Sequence, residues 1–306
     1  MTTALAASED RKLQNHTLIG ILLMITGLAL YPLSDAFTKH LMGTYTVPQT
    51  TFLRAMTRLI PLFIATFFQG GPRQVLSTQH PGRHALRLLV SLSYTYLFMY
   101  AFSLGSLTVV YTLSYTSPLF MILLSALILK ETIYRDRWFA VSMGMIGVIF
   151  AMRPGTNLFE WAALLVLAGT FLGALQKILM RRLAETEHSL AITIYPNITM
   201  VLITFPFLVG TWQTMPWSHW GLFGIVGILT ALAQYSIAQA LRFAQASILA
   251  PIDYSTFFWV VSLDYLWWQK VPAIHTIIGA TIIVSSNLFI LYRSRKEERK
   301  KTALPT

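Results

Sequence analysis

The sequence has no cysteine, few charged residues and none of the common catalytic motifs. Without cysteine there is no disulfide, thiolate nucleophile, iron–sulfur cluster or cysteine-based zinc site. The histidines lack metal-ligand spacing, and no HExxH, GxSxG, Walker A or GxGxxG pattern occurs. We therefore expect a chain that is not an enzyme, holds no cofactor or metal, and does not hydrolyse ATP.

Hydrophobic residues make up 55% of the 306 residues and charged residues only 11%. A water-soluble domain of this size cannot bury so much apolar surface. The apolar residues form runs of about 20, the length at which an α-helix crosses a bilayer core of about 30 Å. These runs lack the alternation of membrane β-strands. The sequence predicts an all-α multi-pass membrane protein with ten transmembrane helices, at 16–38, 47–69, 84–105, 107–129, 135–152, 158–180, 188–210, 219–241, 246–268 and 272–292.

The net charge of +11 follows from where the basic residues lie relative to these spans. With the N-terminus inside, 17 of the 23 Lys and Arg residues, Arg87 among them, fall on the inner side, and 4 fall on the outer side. Cytoplasmic loops are enriched in Lys and Arg. We therefore expect both termini in the cytoplasm. We also expect a first helix that is retained and not cleaved as a signal peptide. Because membrane orientation explains the excess of basic residues, we expect no binding to nucleic acid.

The two halves of the sequence are weakly similar. An offset of 138 aligns DAFTKHLM (35–42) with GALQKILM (173–180), and an offset of 139 aligns Tyr115 with Tyr254. Each half has five spans, an odd number, so the second half enters the membrane from the opposite side. Such inverted repeats suit a carrier, because the inward-open and outward-open states have similar energy. We expect an N-terminal segment (1–15), two five-helix repeats (16–152 and 158–292) and a basic cytoplasmic tail (293–306).

Ionisable side chains within apolar spans cost about 2.5 to 3.5 kcal/mol each on insertion scales, so each needs a partner, a cavity or access to the interface. Arg58 lies near the middle of the second span and is either a cavity donor or half of a buried ion pair. Arg54, one turn away, has Asp35 as its expected partner, in a pair that either gates an outer vestibule or pins two helices. Asp253 follows a proline within its span and is a candidate substrate or proton site.

Tyrosines inside the spans are a second group of candidates, since a buried hydroxyl needs a hydrogen-bond partner. Tyr94, Tyr115 and Tyr254 belong to this group. The repeated pair Tyr115 and Tyr254 could stack on a planar substrate or simply pack in the core. By contrast, we expect Lys177 to extend to the interface from its span end, and Asp264 to be solvated near the outer surface.

Six segments carry a resemblance to a known family. They are PLSDAFTK (32–39), FLRAMTR (52–58), YTSPLF (115–120), LKETIYRDRWFAVSMGMIGVIFAMRP (129–154), API (250–252) followed by Tyr254, and KVPAIHTIIGATIIVSSNLFILY (270–292). Together they resemble the EamA-type branch of the drug/metabolite transporter superfamily, whose members look like ten-helix carriers with two five-helix repeats. The Asp-x-x-x-Lys of the first span and the Arg of the second are similar to subgroups that import S-adenosylmethionine or riboflavin.

These observations predict a secondary transporter in a bacterial inner membrane. It would move a small polar, zwitterionic metabolite (S-adenosylmethionine, an amino acid or a riboflavin-like compound) by alternating access. A coupling proton or counter-substrate is a candidate partner beside the substrate and the lipid bilayer. The alternative is a non-transporting membrane sensor or complex subunit. The expected substrate-binding residues are Arg58 and Arg54 for a carboxylate, Asp253 for an amine, Tyr115 and Tyr254 for flat apolar surface, and Asp35 and Tyr94 beside them.

Overall fold

The computed structural model describes residues 2–78, 81–128, 135–152, 161–184, 187–243 and 249–302. Within these ranges the chain is helical and has no β-strand, which confirms the all-α prediction. Two short 3₁₀ helices accompany the α-helices, at Phe205–Leu208 and Ala250–Ser255. The α-helices in chain order are α1 (Thr2–Met42), α2 (Val47–Phe67), α3 (Pro72–Val75), α4 (Pro81–Leu104), α5 (Leu107–Ser114), α6 (Ser117–Ile128), α7 (Arg135–Met152), α8 (Trp161–Ala184), α9 (Ser189–Thr204), α10 (Trp217–Phe243), α11 (Thr256–Trp268) and α12 (Ile274–Thr302).

Six segments of the described chain are long and apolar enough to cross a membrane, which makes this an integral membrane protein. Two shorter apolar helical segments lie within α7 and α12. The helix α2 is less apolar than the six because it contains Arg54 and Arg58. The six segments are Leu18–Met42, Ala85–Leu104, Leu107–Leu124, Trp161–Leu179, Leu190–Leu208 and Trp217–Ile237.

Three of the predicted spans are not continuous α-helices. The fourth divides between α5 and α6, because Pro118 has no N–H to donate to the carbonyl of Ser114 and its ring crowds that carbonyl. The seventh ends in the 3₁₀ helix that contains Pro206, and the ninth begins in the one that contains Pro251. The predicted start of the ninth span, 246–248, lies outside the described residues.

The N-terminus of α5 is capped from a distant helix. Ser106 accepts a hydrogen bond from the Val109 N–H at 3.2 Å. The Asp264 carboxylate of α11 accepts bonds from the backbone N–H groups of Leu107 (3.2 Å) and Thr108 (2.7 Å) and from the Thr108 hydroxyl (2.6 Å). Asp264 is only 1% exposed, so the expectation that it is solvated is wrong. Its carboxylate instead satisfies the unpaired donors at the positive end of a helix.

Close helix pairs organise the molecule. The helix α1 packs along α10, α4 along α8 and α7 along α12, while α2 contacts both α9 and α10. Small residues permit this approach: a Cβ on Gly147 of α7 would lie 3.0 Å from the carbonyl oxygen of Gly279 on α12. The pairs leave a space between α1, α2, α4, α8 and α9, and polar side chains line it.

Candidate functional site

A cavity of about 540 Å³ lies within the helical bundle. Its polar lining is unusual for the interior of apolar helices, because ionisable side chains at membrane depth are costly unless they have partners or water. Among the described residues the lining contains one acidic and four basic side chains. These are Asp35, Arg54, Arg58, Arg87 and Lys177.

Asp35 and Arg54 form an ion pair in the lining of the cavity. The Nη2 of Arg54 donates to Oδ1 of Asp35, and the Tyr111 hydroxyl donates to Oδ2 at 2.6 Å. Both charged side chains are close to 90% buried, at 11% and 10% exposure. The three groups join α2, α1 and α5, so the carboxylate of Asp35 already has two partners in this state.

Arg58 lies one helical turn from Arg54 but has a different environment. Its Nε is buried and has no hydrogen-bond partner among the described residues. The guanidinium of Arg54, the carboxylate of Asp35 and the hydroxyl groups of Tyr31 and Tyr94 are near enough to interact with it electrostatically. No carboxylate in the described part of the chain forms a salt bridge with Arg58. Its guanidinium is thus a cationic donor that lines the cavity.

One wall of the cavity is aromatic. The rings of Tyr94 and Phe98, one turn apart on α4, have centroids 4.9 Å apart. They lie against Gly173 and Gly169 of α8, where an added Cβ would come within 2.8 Å of each ring. The two rings are four residues apart on α4, and the two glycines are four residues apart on α8. Each ring therefore lies against one glycine. Replacing either glycine with a larger residue would displace a ring that lines the cavity.

Of the seven site residues expected from the sequence, four line this cavity: Asp35, Arg54, Arg58 and Tyr94. The other three lie together elsewhere. Tyr115 and Tyr254 contact each other, with ring centroids 5.4 Å apart, at the break between α5 and α6. Asp253 is exposed and is not among the cavity-lining residues.

Comparison with known proteins places this architecture in a family. The model of the EamA-like transporter family matches residues 18–153 and again residues 160–292. The chain belongs to the EamA-like transporter family. The resemblance drawn from the sequence is therefore confirmed, and the family is one of membrane transporters rather than enzymes.

Several similar proteins cover nearly the full EamA-like chain. A riboflavin transporter of Vibrio cholerae is 28% identical over 94% of this chain and 98% of its own. An S-adenosylmethionine uptake transporter of Rickettsia prowazekii is 24% identical over 92% of this chain and 95% of its own. A crystal structure with 17% sequence identity superposes with a TM-score of 0.62, covering 92% of this chain and 99% of that one, which supports the fold.

In this EamA-like chain, sequence reasoning did not name Arg87 as a site residue, and it expected Lys177 at the interface. Arg87 was counted among the basic residues of the inner side, yet its side chain is only 2% exposed and lines the cavity. Arg87, Ser91 and Tyr94 are spaced four and three residues apart, so a polar stripe on one helical face was the available signal. Lys177 does not simply extend to the interface: its Nζ donates to the Ser117 hydroxyl at 3.1 Å, and it also lines the cavity.

Proposed function

We propose that this chain is a secondary carrier that moves a small polar organic metabolite across a bacterial inner membrane by alternating access. The observation that carries the proposal is the cavity of about 540 Å³. It lies within apolar helices and is lined by Arg58, Arg87 and aromatic rings, which suits a charged, partly flat solute. The names of the relatives agree with this class. Riboflavin and S-adenosylmethionine are both small polar molecules with a flat heteroaromatic ring.

The proposed architecture is ten spans in two inverted five-helix repeats, with both termini in the cytoplasm. Two observations support it. The same family model matches once in each half of the chain. In addition, the helix packing has the symmetry that two equivalent halves predict. The helix α1 in the first half corresponds to α8 in the second, and α4 corresponds to α10. The α1–α10 pair therefore corresponds to the α8–α4 pair, and both pairs are present. A pseudo-two-fold relation of this kind gives a carrier two states of comparable energy around one site.

Within the cavity, the proposed role of Arg58 is to bind an acidic group of the substrate. A guanidinium without a carboxylate partner can offer two parallel hydrogen bonds to a carboxylate or phosphate. The flat part of the substrate would pack against Tyr94. The binding of a substrate amine by Asp253, stacking on Tyr115 and Tyr254, and coupling to a proton or counter-substrate stay predictions.

The test is uptake by the purified chain reconstituted into proteoliposomes. The panel is radiolabelled riboflavin, S-adenosylmethionine and single amino acids, each compared with empty liposomes. Saturable uptake of one compound, competed by its unlabelled form, is the expected result. Failure to take up any of them, with protein shown to be folded and inserted, would favour a membrane sensor or complex subunit.

A further inference from the structure

The charges that line the cavity do not balance. Asp35 is the one acidic side chain among the described lining residues, and Arg54 and Tyr111 occupy both of its oxygens. Lys177 interacts electrostatically with Asp253. Two guanidinium groups, those of Arg58 and Arg87, are left without a carboxylate partner in the described part of the chain.

Arg87 is the less expected of the two, because it is almost completely buried. Its Nη2 donates to the backbone carbonyl of Ile192 at 2.5 Å. Its Nε and Nη1 are buried and have no hydrogen-bond partner among the described residues. A side chain that extended to the membrane surface would expose these atoms to water or headgroups. A buried cation with unused donors costs free energy, and binding an anion removes that cost.

The helix α4 sets the geometry of this site. Arg87 and Tyr94 are seven residues apart on one face, which corresponds to about 10 Å along the axis. Tyr94 lies close enough to Arg58 for electrostatic interaction. An acidic group at Arg87 would therefore lie about 10 Å along α4 from the level of Tyr94.

We infer that Arg87 binds an acidic group, a carboxylate or phosphate, of the carried solute, and that this solute is an organic anion with a flat part next to Tyr94. This inference rests on the proposed carrier function and narrows its substrate class. A zwitterion would need an acidic side chain for its amine, and the one in the described lining is already paired. A phospholipid headgroup offers the same acidic chemistry, so the experiment must separate the two sources.

The experiment measures thermal unfolding of the purified full chain in detergent micelles with two matched pairs of probes. Riboflavin 5′-phosphate is compared with riboflavin, and phenylpyruvate with phenylalanine. We expect the acidic member of each pair to raise Tm at a concentration about 10-fold lower than its partner, as one charge-assisted contact predicts. In Arg87→Gln this preference should be reduced rather than abolished, because Arg58 remains as a second guanidinium in the cavity lining. Arg73→Gln makes the same change at an exposed position outside the cavity and should keep it.

A structural role for Arg87 predicts other results. If the guanidinium only holds the fold together, Arg87→Gln without ligand should unfold at a lower temperature than the wild type. If it is an empty anion site, removing an unpaired buried charge should leave Tm unchanged or raise it. Should Arg87→Gln fail to fold, Arg87→Lys retains the charge without the planar fork, and a reduced preference for the acidic probes is expected.

Three results would overturn the inference: equal binding of both members of each pair, a preference as large in Arg87→Gln as in the wild type, or no stabilisation of folded wild-type protein by either acidic probe. Stabilisation by phosphatidylglycerol but not phosphatidylcholine, without any effect of the acidic solutes, would assign Arg87 to a lipid headgroup. Uptake measurements separate a failure of the anion site at Arg87 from a failure of the proposed carrier function. If Arg87→Gln takes up a zwitterion at the wild-type rate, the carrier function stands and the anion site at Arg87 is wrong. If the wild type binds acids selectively but takes up none of the compounds, the anion site stands and the carrier function is wrong.

Discussion

Arg54 and Arg58 lie one helical turn apart but have different surroundings. Arg54 is neutralised by Asp35, whereas Arg58 faces the cavity with a buried Nε that has no partner among the described residues. Like charges at this spacing repel, and the Asp35 carboxylate reduces that repulsion. The pair thus permits a second, unpaired guanidinium to remain in the bundle.

Replacing Arg58 should impair transport with little effect on stability. Arg58→Lys keeps the charge but loses the bidentate fork, and Arg58→Gln loses both, so we expect uptake to fall at least about 10-fold in each. Neither change leaves a buried carboxylate unpaired, because none is paired with Arg58 in the described structure. Uptake and Tm should be measured together, with Arg73→Gln as the control. A large loss of stability with transport retained in the folded fraction would contradict the substrate role.

Replacing one member of the Asp35–Arg54 pair should destabilise the protein. Asp35→Asn leaves the Arg54 charge buried without a carboxylate, at an expected cost of about 3 to 5 kcal/mol. Tyr111→Phe removes one hydrogen bond to the same carboxylate and should cost about 1 kcal/mol. The double variant Asp35→Asn/Arg54→Gln should recover part of the loss.

The measurement is a double-mutant cycle by thermal or chemical unfolding in detergent. A coupling energy near zero would show that the pair does not hold α1 to α2. If the single variants kept full stability but altered transport, the pair would act in gating, the alternative left open by the sequence.

At the scale of elements, the break between α5 and α6 matters more than the length of either helix. The break brings the backbone of Tyr115 to Asn287 of α12, whose Nδ2 donates to the Tyr115 carbonyl at 2.7 Å. At its other end, α5 is held by the Asp264 carboxylate. A short helix with both ends tied to other helices keeps a fixed position, so Tyr111 on α5 stays against Asp35.

Asp264→Asn should therefore weaken the position of α5. An amide keeps one acceptor but loses the charge that favours the helix N-terminus, so we expect a loss of about 1 to 3 kcal/mol. The matched control is Ser262→Ala on the same helix, a partly exposed side chain that donates to the Phe258 carbonyl of its own helix. Thermal unfolding of both variants tests this. Equal Tm values for the two would show that the capping contacts do not contribute to stability.

At the scale of the whole molecule, orientation determines which side of the membrane each half of the cavity opens to. Most of the basic residues fall in the loops that we expect on the inner side. Reporter fusions after Thr78 and Glu185 should therefore report cytoplasm, and a fusion after Thr214 the opposite side. Glu185 lies outside the described residues. Paired reporters, one active only in the cytoplasm and one only outside it, make each position its own control. Reversed signals would contradict the cytoplasmic placement of both termini.

Composition and run length alone determined the class of this protein. Fewer charges than a soluble domain requires, and apolar runs of helical span length, are local properties, so they indicated an all-α membrane protein and the polar candidates Asp35, Arg54 and Arg58. The motifs within those runs also sufficed to indicate the EamA-like family. None of these inferences needed to know which helices are neighbours.

The sequence predicted the Asp35–Arg54 pair, but only the tertiary structure decided which of the other polar residues meet. The partners of Asp264 are 156 and 157 positions away, and the buried Arg87 bonds a carbonyl 105 positions away. Tyr115 and Tyr254 were candidates for contacts with a flat substrate or for core packing, and they contact each other outside the cavity lining. A hydropathy pattern shows how polar a segment is, not how its helix is rotated or what faces it. Those depend on packing between distant helices, where close contacts such as Tyr94 on Gly173 fix the rotation.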